Sequence, residues 1–353
     1  MRISVCSLGE ETNVRFLEQV KLAEQLGFHA FMHADEKWTR DPYVRIAAAT
    51  RMTSRIGFGF CVTDPYTRHP ALSAQACATL AELCPGRLRV VMGAGSHFET
   101  LPTISNPKPV KGIREGMGLM RQLWKGERVT LDGELIKFKA GKLDFDPQAI
   151  PEMYIASRSP LILALGGEIG EGVLIGSFAT APGIEYAKGH IQKGLARANR
   201  SWKDIQLCSW VYVTILDRED EDIPENIKRG MSHAFWSSRK TMTEMVDKLS
   251  DDDVTPQFRK FLHDAPHEWS PEVMAELRRM MPRSIFNTMS VVGTAKQVIA
   301  RLQSLAAVGI QETIMWPFPK PGQEVEDLLI QLGHEVLPHV IERPKREAYR
   351  LVD

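Results

Sequence analysis

A short apolar run followed by a helix-length amphipathic segment recurs four times in the first 126 residues, and no feature of this chain restricts its fold more. Residues 3–8 read as a strand, and 13–26 as a helix with Val14, Leu17, Val20, Leu22 and Leu26 at largely helical spacing and Gly27 as its stop. The pairs 30–34 and 43–52, 56–62 and 71–83, and 88–92 and 113–124 repeat the unit. Further along, 153–156, 172–176, 207–216 and 312–316 read as strands, and 160–169, 182–199, 294–307 and 325–341 as helices. Eight strands, mostly alternating with helices, predict an α/β chain folded as a (β/α)8 TIM barrel, with 1–353 as one domain. Two stretches break the alternation. Residues 127–151 carry short alternating pieces around Asp132-Gly133, a hairpin signal, and 217–290 open on an acidic run and then show helical patches without a clear strand. An open doubly wound sheet is disfavoured, because no Gly-x-Gly-x-x-Gly follows the first strand.

Charge and cysteine content narrow the function. Lys plus Arg (44) equals Asp plus Glu (44), so no global field gathers nucleic acid or acidic lipid, and a small-molecule ligand is expected. Cys6, Cys61, Cys77, Cys84 and Cys208 are odd in number and contain no Cys-x-x-Cys pair, as for reduced core thiols of a cytoplasmic protein. No window approaches the roughly 20 apolar residues of a membrane span, and the amino terminus does not read as a signal peptide. His233, His263 and His267 lack metal-ligand spacing, so no metal is expected.

The polar residues gather at predicted strand ends, where parallel α/β folds bind ligands. The third strand ends in Thr63, Asp64, Arg68 and His69; Arg68 and His69 are placed to lock this loop by pairing with Asp64. The fifth ends in Ser157-Arg158-Ser159-Pro160, two hydroxyls and a guanidinium before a helix whose first residue is Pro160. Such a turn suits an anion at a helix amino terminus, or else Ser159 merely caps the helix. The fourth ends in Gly93-Ala94-Gly95-Ser96-His97, whose glycines let backbone approach a flat ring.

Four motifs carry a family resemblance: Val62-Thr63-Asp64-Pro65-Tyr66-Thr67-Arg68-His69-Pro70; Pro85-Gly86-Arg87-Leu88-Arg89-Val90-Val91-Met92-Gly93-Ala94-Gly95; Met153-Tyr154-Ile155-Ala156-Ser157-Arg158-Ser159-Pro160; and Gly167-Glu168-Ile169-Gly170-Glu171-Gly172-Val173-Leu174. In order and spacing the chain resembles the bacterial-luciferase-like flavin oxidoreductases, within them the branch around methylenetetrahydromethanopterin reductase, which uses the deazaflavin coenzyme F420. The resemblance implies a flavin-type cofactor, F420 or FMN with a lean to F420, lying across the carboxyl ends of the strands. It implies a non-proline cis peptide in a third-strand bulge, whose counterpart here is Cys61-Val62. Cofactor contacts then fall to Asp35, Cys61, Val62, Thr63, Gly95, Ser96, Ala156, Ser157, Arg158 and Ser159, with a flavin phosphate at the 157–160 turn.

Asp35 and Glu36 match the branch's proton-handling position, although some members have histidine where this chain has Glu36. If both face one cavity, their repulsion raises one pKa; the alternative is that Glu36 pairs with Lys37 or Arg40. His97 is a third acid–base candidate, standing where some members have a carboxylate. Trp38, Phe98, Phe178 and Trp316 are candidates for an apolar substrate pocket, whereas Trp236 reads better as core. The implied activity is hydride transfer between the cofactor and an organic substrate. Two alternatives stay open: an FMN monooxygenase served by a separate flavin reductase, and a non-catalytic flavin-binding barrel. Relatives of this kind are commonly homodimers, so a homodimer is expected.

Overall fold

A computed structural model describes residues 1–96, 98–101, 103–104, 107–247, 253–266 and 270–341. Eight parallel strands close into a barrel: β1 (Arg2–Ser7), β2 (Ala30–His33), β3 (Gly57–Thr63), β4 (Leu88–Met92), β5 (Glu152–Ser157), β6 (Gly172–Gly176), β7 (Gln206–Ile215) and β8 (Glu312–Pro317). Each pairs with its neighbour in chain order, and β8 returns to β1 through Arg2↔Glu312 to Val5↔Met315. The expected TIM barrel is the observed fold.

Chain punctuation set many of the helix boundaries. Thr12 caps helix Asn13–Leu26 by accepting from Arg15 N; Asp41, ahead of Pro42, caps Pro42–Thr50 by accepting from Val44 N. His69 does the same for Pro70–Leu83, its ring Nδ1 accepting from Ala71 N at 3.2 Å. His69 is thus spent on a helix cap and on the Lys137 carbonyl rather than on Asp64.

Pleating sends alternate strand residues to the lumen. Cys6, Ala30, Met32, Cys61, Val91, Tyr154, Leu174, Cys208 and Ile314 form that lumen, every strand contributing, and Val62, Ala156 and Trp210 pack on it. Below, at the amino-terminal end, fully buried Glu312 accepts from Ser4 Oγ (2.7 Å) and faces the Arg89 guanidinium at 3.0 Å. The layer outside the strands is a second continuous core shared with the helices.

Two details differ from the expectation. A short strand, Ser290–Gly293, pairs in parallel with Tyr212–Ile215 at the end of β7; four residues leave too little pattern to detect. The helix expected over 325–341 is interrupted by a π turn, Leu332–Val336, just before Pro338, which has no N–H to continue an α-helical ladder. The expected hairpin is present, its strands Val129–Asp132 and Lys137–Gly141 forming a separate two-stranded sheet. Helices Glu225–Ser237, Arg239–Val246, Pro256–Asp264, Pro271–Met280 and Arg283–Met289 lie between β7 and the short strand.

Candidate active site

The carboxyl ends of the strands carry the polar groups, and β3 shapes their floor. Its pairing with β4 shifts between Cys61 and Thr63 (Cys61↔Val91, then Thr63↔Met92), and the Cys61-Val62 peptide is cis. Cys61 and Val62 both meet the lumen in consequence, Cys61 buried and Val62 half-buried at its upper edge. Gly93 lies against Val62: a Cβ there would stand 2.8 Å from Val62 Cγ2. Gly95 has φ +74°, and a Cβ on it would lie 2.8 Å from the Asp64 Cβ. The two glycines therefore let the fourth loop lie close against the third.

On the β2 side the two acidic residues separate. Asp35, half-buried, accepts from Thr63 Oγ1 at 2.7 Å. Its carboxyl is raised above the ordinary value, first by burial, then by the nearby Asp64 and Asp41 charges, while the Thr63 hydrogen bond and Arg68 oppose the rise. The expected source of such a rise was Glu36, and the structure replaces it with these. Glu36 instead accepts from Ser96 Oγ at 3.3 Å, joining the second and fourth loops. The expected partners Lys37 and Arg40 are engaged elsewhere. Lys37 Nζ sits 3.0 Å from Asp64 Oδ2 and over the Phe98 ring; Arg40 donates to the Glu10 carbonyl.

Asp64 is the hub of the third loop. Its Oδ1 accepts from Tyr66 N (2.8 Å) and Thr67 N (2.9 Å), an Asx turn, and Lys37 balances its charge. Arg68 pairs with Asp41 at 3.2 Å and covers the Tyr43 ring, so the loop lock runs through Lys37 and not through Arg68 or His69.

Arg158 lies on the opposite side. Its Nε donates to Ser238 Oγ (2.7 Å), one terminal nitrogen to Ser177 Oγ (3.2 Å) and the other to Ser237 Oγ (3.0 Å). Among the described residues no carboxylate pairs with it, and burial pulls its guanidinium below the ordinary value. Ser177, in the left-handed region at φ +51°, is fully buried; Ser237 and Ser238 come from the inserted helices. Ser157 Oγ accepts from Ser159 N at 2.8 Å, and the Ser159 side chain makes no cap bond, leaving the first-turn amides of helix Pro160–Ile169 uncapped by it. A cavity of about 270 Å³ adjoins that terminus, lined by Ser159, Leu161, Ile162, Lys108 and Lys111.

The β7–β8 wall is aromatic. By the alternation that puts Cys208 and Ile314 in the lumen, Trp210, Tyr212 and Trp316 face the same way. Tyr212 and Trp316 stack with centroids 5.1 Å apart, Trp210 lies 5.3 Å from Trp316, and Phe318 4.7 Å from Trp316. Burial raises the Tyr212 hydroxyl, with Arg158 and Glu36 both within its electrostatic reach.

The other pocket candidates scatter. Trp38 is exposed at the rim with φ +72° and donates to Thr100 Oγ1 at 3.1 Å. Phe98 packs edge-on to Tyr66 inside the loops. Phe178 is fully buried against Tyr186 and offers no face to a ligand. Ala156 packs on the lumen below Ser157. His97 lies outside the described residues. Sequence reading passed over Ser177, Ser237, Ser238, Trp210, Tyr212 and Phe318. Only the lumen alternation of Trp210 and Tyr212 carried a signal in the sequence.

A family model described as luciferase-like monooxygenase matches residues 1–312. The 5,10-methylenetetrahydromethanopterin reductase of Archaeoglobus fulgidus is 31% identical over 323 residues, covering 90% of this chain and 93% of its own. An F420-dependent glucose-6-phosphate dehydrogenase of Microbacterium testaceum is 25% identical over 340 residues, covering 91% and 92%. Among solved structures, the coenzyme F420 dependent tetrahydromethanopterin reductase of Methanopyrus kandleri superposes with a TM-score of 0.77 at 21% identity, over 96% of this chain and 99% of that one. Barrel, third-strand bulge and sequence likeness agree: this chain belongs to the luciferase-like monooxygenase family.

Proposed function

We propose that the chain is an F420-dependent oxidoreductase that transfers hydride between the deazaflavin and an organic substrate. The observation that carries this reading is Arg158, a fixed cation at the mouth held by three hydroxyls and, among the described residues, by no carboxylate. A cation so placed suits an anionic cofactor. The residues present fit a deazaflavin: Val62 and Gly93 offer a shelf above the lumen, Arg158 with Ser157 and the uncapped helix terminus an anion seat, and Trp316 with Tyr212 a flat apolar wall. The preference for F420 over FMN rests on the relatives named F420-dependent.

When bound, the deazaflavin supplies hydride from a ring carbon and reacts poorly with oxygen. The chain's residues do the rest. Asp35, its proton affinity raised, gives or takes the proton that balances hydride addition to a C=O or C=N carbon. Glu36, tied to Ser96, holds the second and fourth loops about the mouth. The five described cysteines are free and buried, which agrees with a cytoplasmic enzyme, and a homodimer is the proposed assembly.

Titration of the purified protein with F420 and with FMN, oxidised and reduced, followed by fluorescence quenching, tests the reading. F420 binding is expected to be the tighter. Tighter FMN binding with oxygen consumption would instead establish a monooxygenase, and binding of neither would overturn both.

A further inference from the structure

Thr63 was expected to touch the cofactor, yet its surroundings assign it differently. The register shift after Cys61 turns Cys61 and Val62 to the lumen and leaves Thr63 against β2, only 2% exposed. There its hydroxyl donates to Asp35 Oδ2 at 2.7 Å. A threonine hydroxyl has one proton to donate. While it is directed to Oδ2, one lone pair of that oxygen is engaged, and Oδ1 is the freer oxygen to gain or lose a proton.

Among the described residues, charged groups from two neighbouring segments act on this pair. Asp64 from the same loop and Asp41 from the cap of helix Pro42–Thr50 raise the proton affinity of Asp35, and Arg68 lowers it. Tyr43 and Cys77 close the back, Tyr43 with its ring 4.4 Å from Phe60 and under the Arg68 guanidinium. Of these neighbours, the Thr63 hydroxyl is the one that donates a hydrogen bond to the Asp35 carboxylate.

We propose that Thr63 is a positioning residue that orients Asp35, assigns its proton exchange to Oδ1 and sets the pH at which that exchange occurs. This rests on Asp35 being the proton-handling group of the proposed reaction. The hydroxyl steadies the carboxylate form, so its loss moves the titration of Asp35 upward.

The test uses the full chain in three forms: wild type, Thr63→Val and Thr63→Ser. The Asp35 carboxyl carbon, assigned by its disappearance in Asp35→Asn, is titrated by ¹³C NMR without cofactor. Thr63→Val is expected to raise the midpoint by about one to two pH units, and Thr63→Ser to restore it. F420 affinity is measured in parallel and is expected to stay within about twofold at a pH below both midpoints. An unmoved midpoint in Thr63→Val, with or without weakened F420 binding, overturns the proposal; weakened binding would mark Thr63 as a cofactor contact. If Thr63→Val does not fold, Thr63→Ala with the same titration replaces it. Full turnover in Asp35→Asn would overturn the catalytic role of Asp35 while leaving the titration result standing, so the two readings fail separately.

Discussion

Replacing Arg158 by methionine removes the charge while keeping an unbranched, bulky side chain. Three hydrogen bonds disappear, to Ser238, Ser177 and Ser237. Ser237 is exposed and Ser238 half-buried, so water replaces much of what they lose; only Ser177 is left buried with an open acceptor. That loss is about 1 kcal/mol, and relief of a buried charge without a counter-ion offsets part of it. Net stability is therefore expected to change by about 1 kcal/mol or less. Affinity for an anionic cofactor should fall much further: a hydrogen bond to a charged group is worth about 1.5–3 kcal/mol, or about 10- to 150-fold in Kd. Fluorescence titration with F420, set beside urea unfolding, separates the two effects. A phosphate-free deazariboflavin supplies the control, since it should bind wild type and Arg158→Met alike. Equal F420 affinity in the two proteins, or an equal loss for the phosphate-free ring, would refute the assignment of Arg158 to an anion.

Three further substitutions have defined outcomes. Asp35→Asn should cut oxidation of reduced F420 by a panel of carbonyl and imine acceptors by about 100-fold or more. Because the folded state raises the Asp35 pKa, its contribution to stability is present below the unfolded value and lost as pH rises; Asp35→Asn should therefore be as stable as wild type, or more so, in denaturant melts at neutral pH. Glu312→Gln takes from the buried Arg89 cation its nearer carboxylate, leaving the more exposed Glu152 at 4.0 Å, and should cost about 3–5 kcal/mol, with Arg89→Met in the same chain recovering part of the loss. Glu312 is held below the ordinary carboxylate value, burial being outweighed by Arg89, His29, Ser4 and Arg2, so the stability it confers is present at neutral pH and lost on acidification. Gly93→Ala should push Val62 from its place, lowering F420 affinity at least tenfold with a destabilisation of about 1–3 kcal/mol, checked by the same titration and by thermal melts.

The barrel was legible because strands buried on both faces read as apolar runs and because proline and glycine mark the boundaries; helices Asn13–Leu26 and Pro160–Ile169 fall where the pattern put them. The make-up of the candidate site was legible only where a loop keeps its own residues together, as at Ser157-Arg158-Ser159. Partners from distant segments were not. Ser237 and Ser238 reach Arg158 from about 80 positions along the chain, and nothing near them distinguishes them from other serines on a helix. The third loop misled for the same reason: Arg68 and His69 are neighbours of Asp64 in sequence, but the loop crossing brings Lys37 to it, while His69 serves the next helix. Short-range charge order does not reveal which loops touch. Phe178 failed differently, since residues after a strand can turn back into the helical layer as readily as toward the mouth.

The lumen has a chemical character besides its shape. Of the side chains that plug it, Cys6, Cys61 and Cys208 are thiols and Met32 is a thioether, so the floor beneath the mouth is rich in sulfur. Cys61 and Cys208 are both held in the protonated form, Cys61 by its contact with Cys6 and by burial, Cys208 by burial. Oxidation of sulfur follows thiolate character and exposure, so buried thiols held protonated are chemically inert. The floor therefore fills the barrel as soft, polarisable packing that can follow the shape of what lies above it.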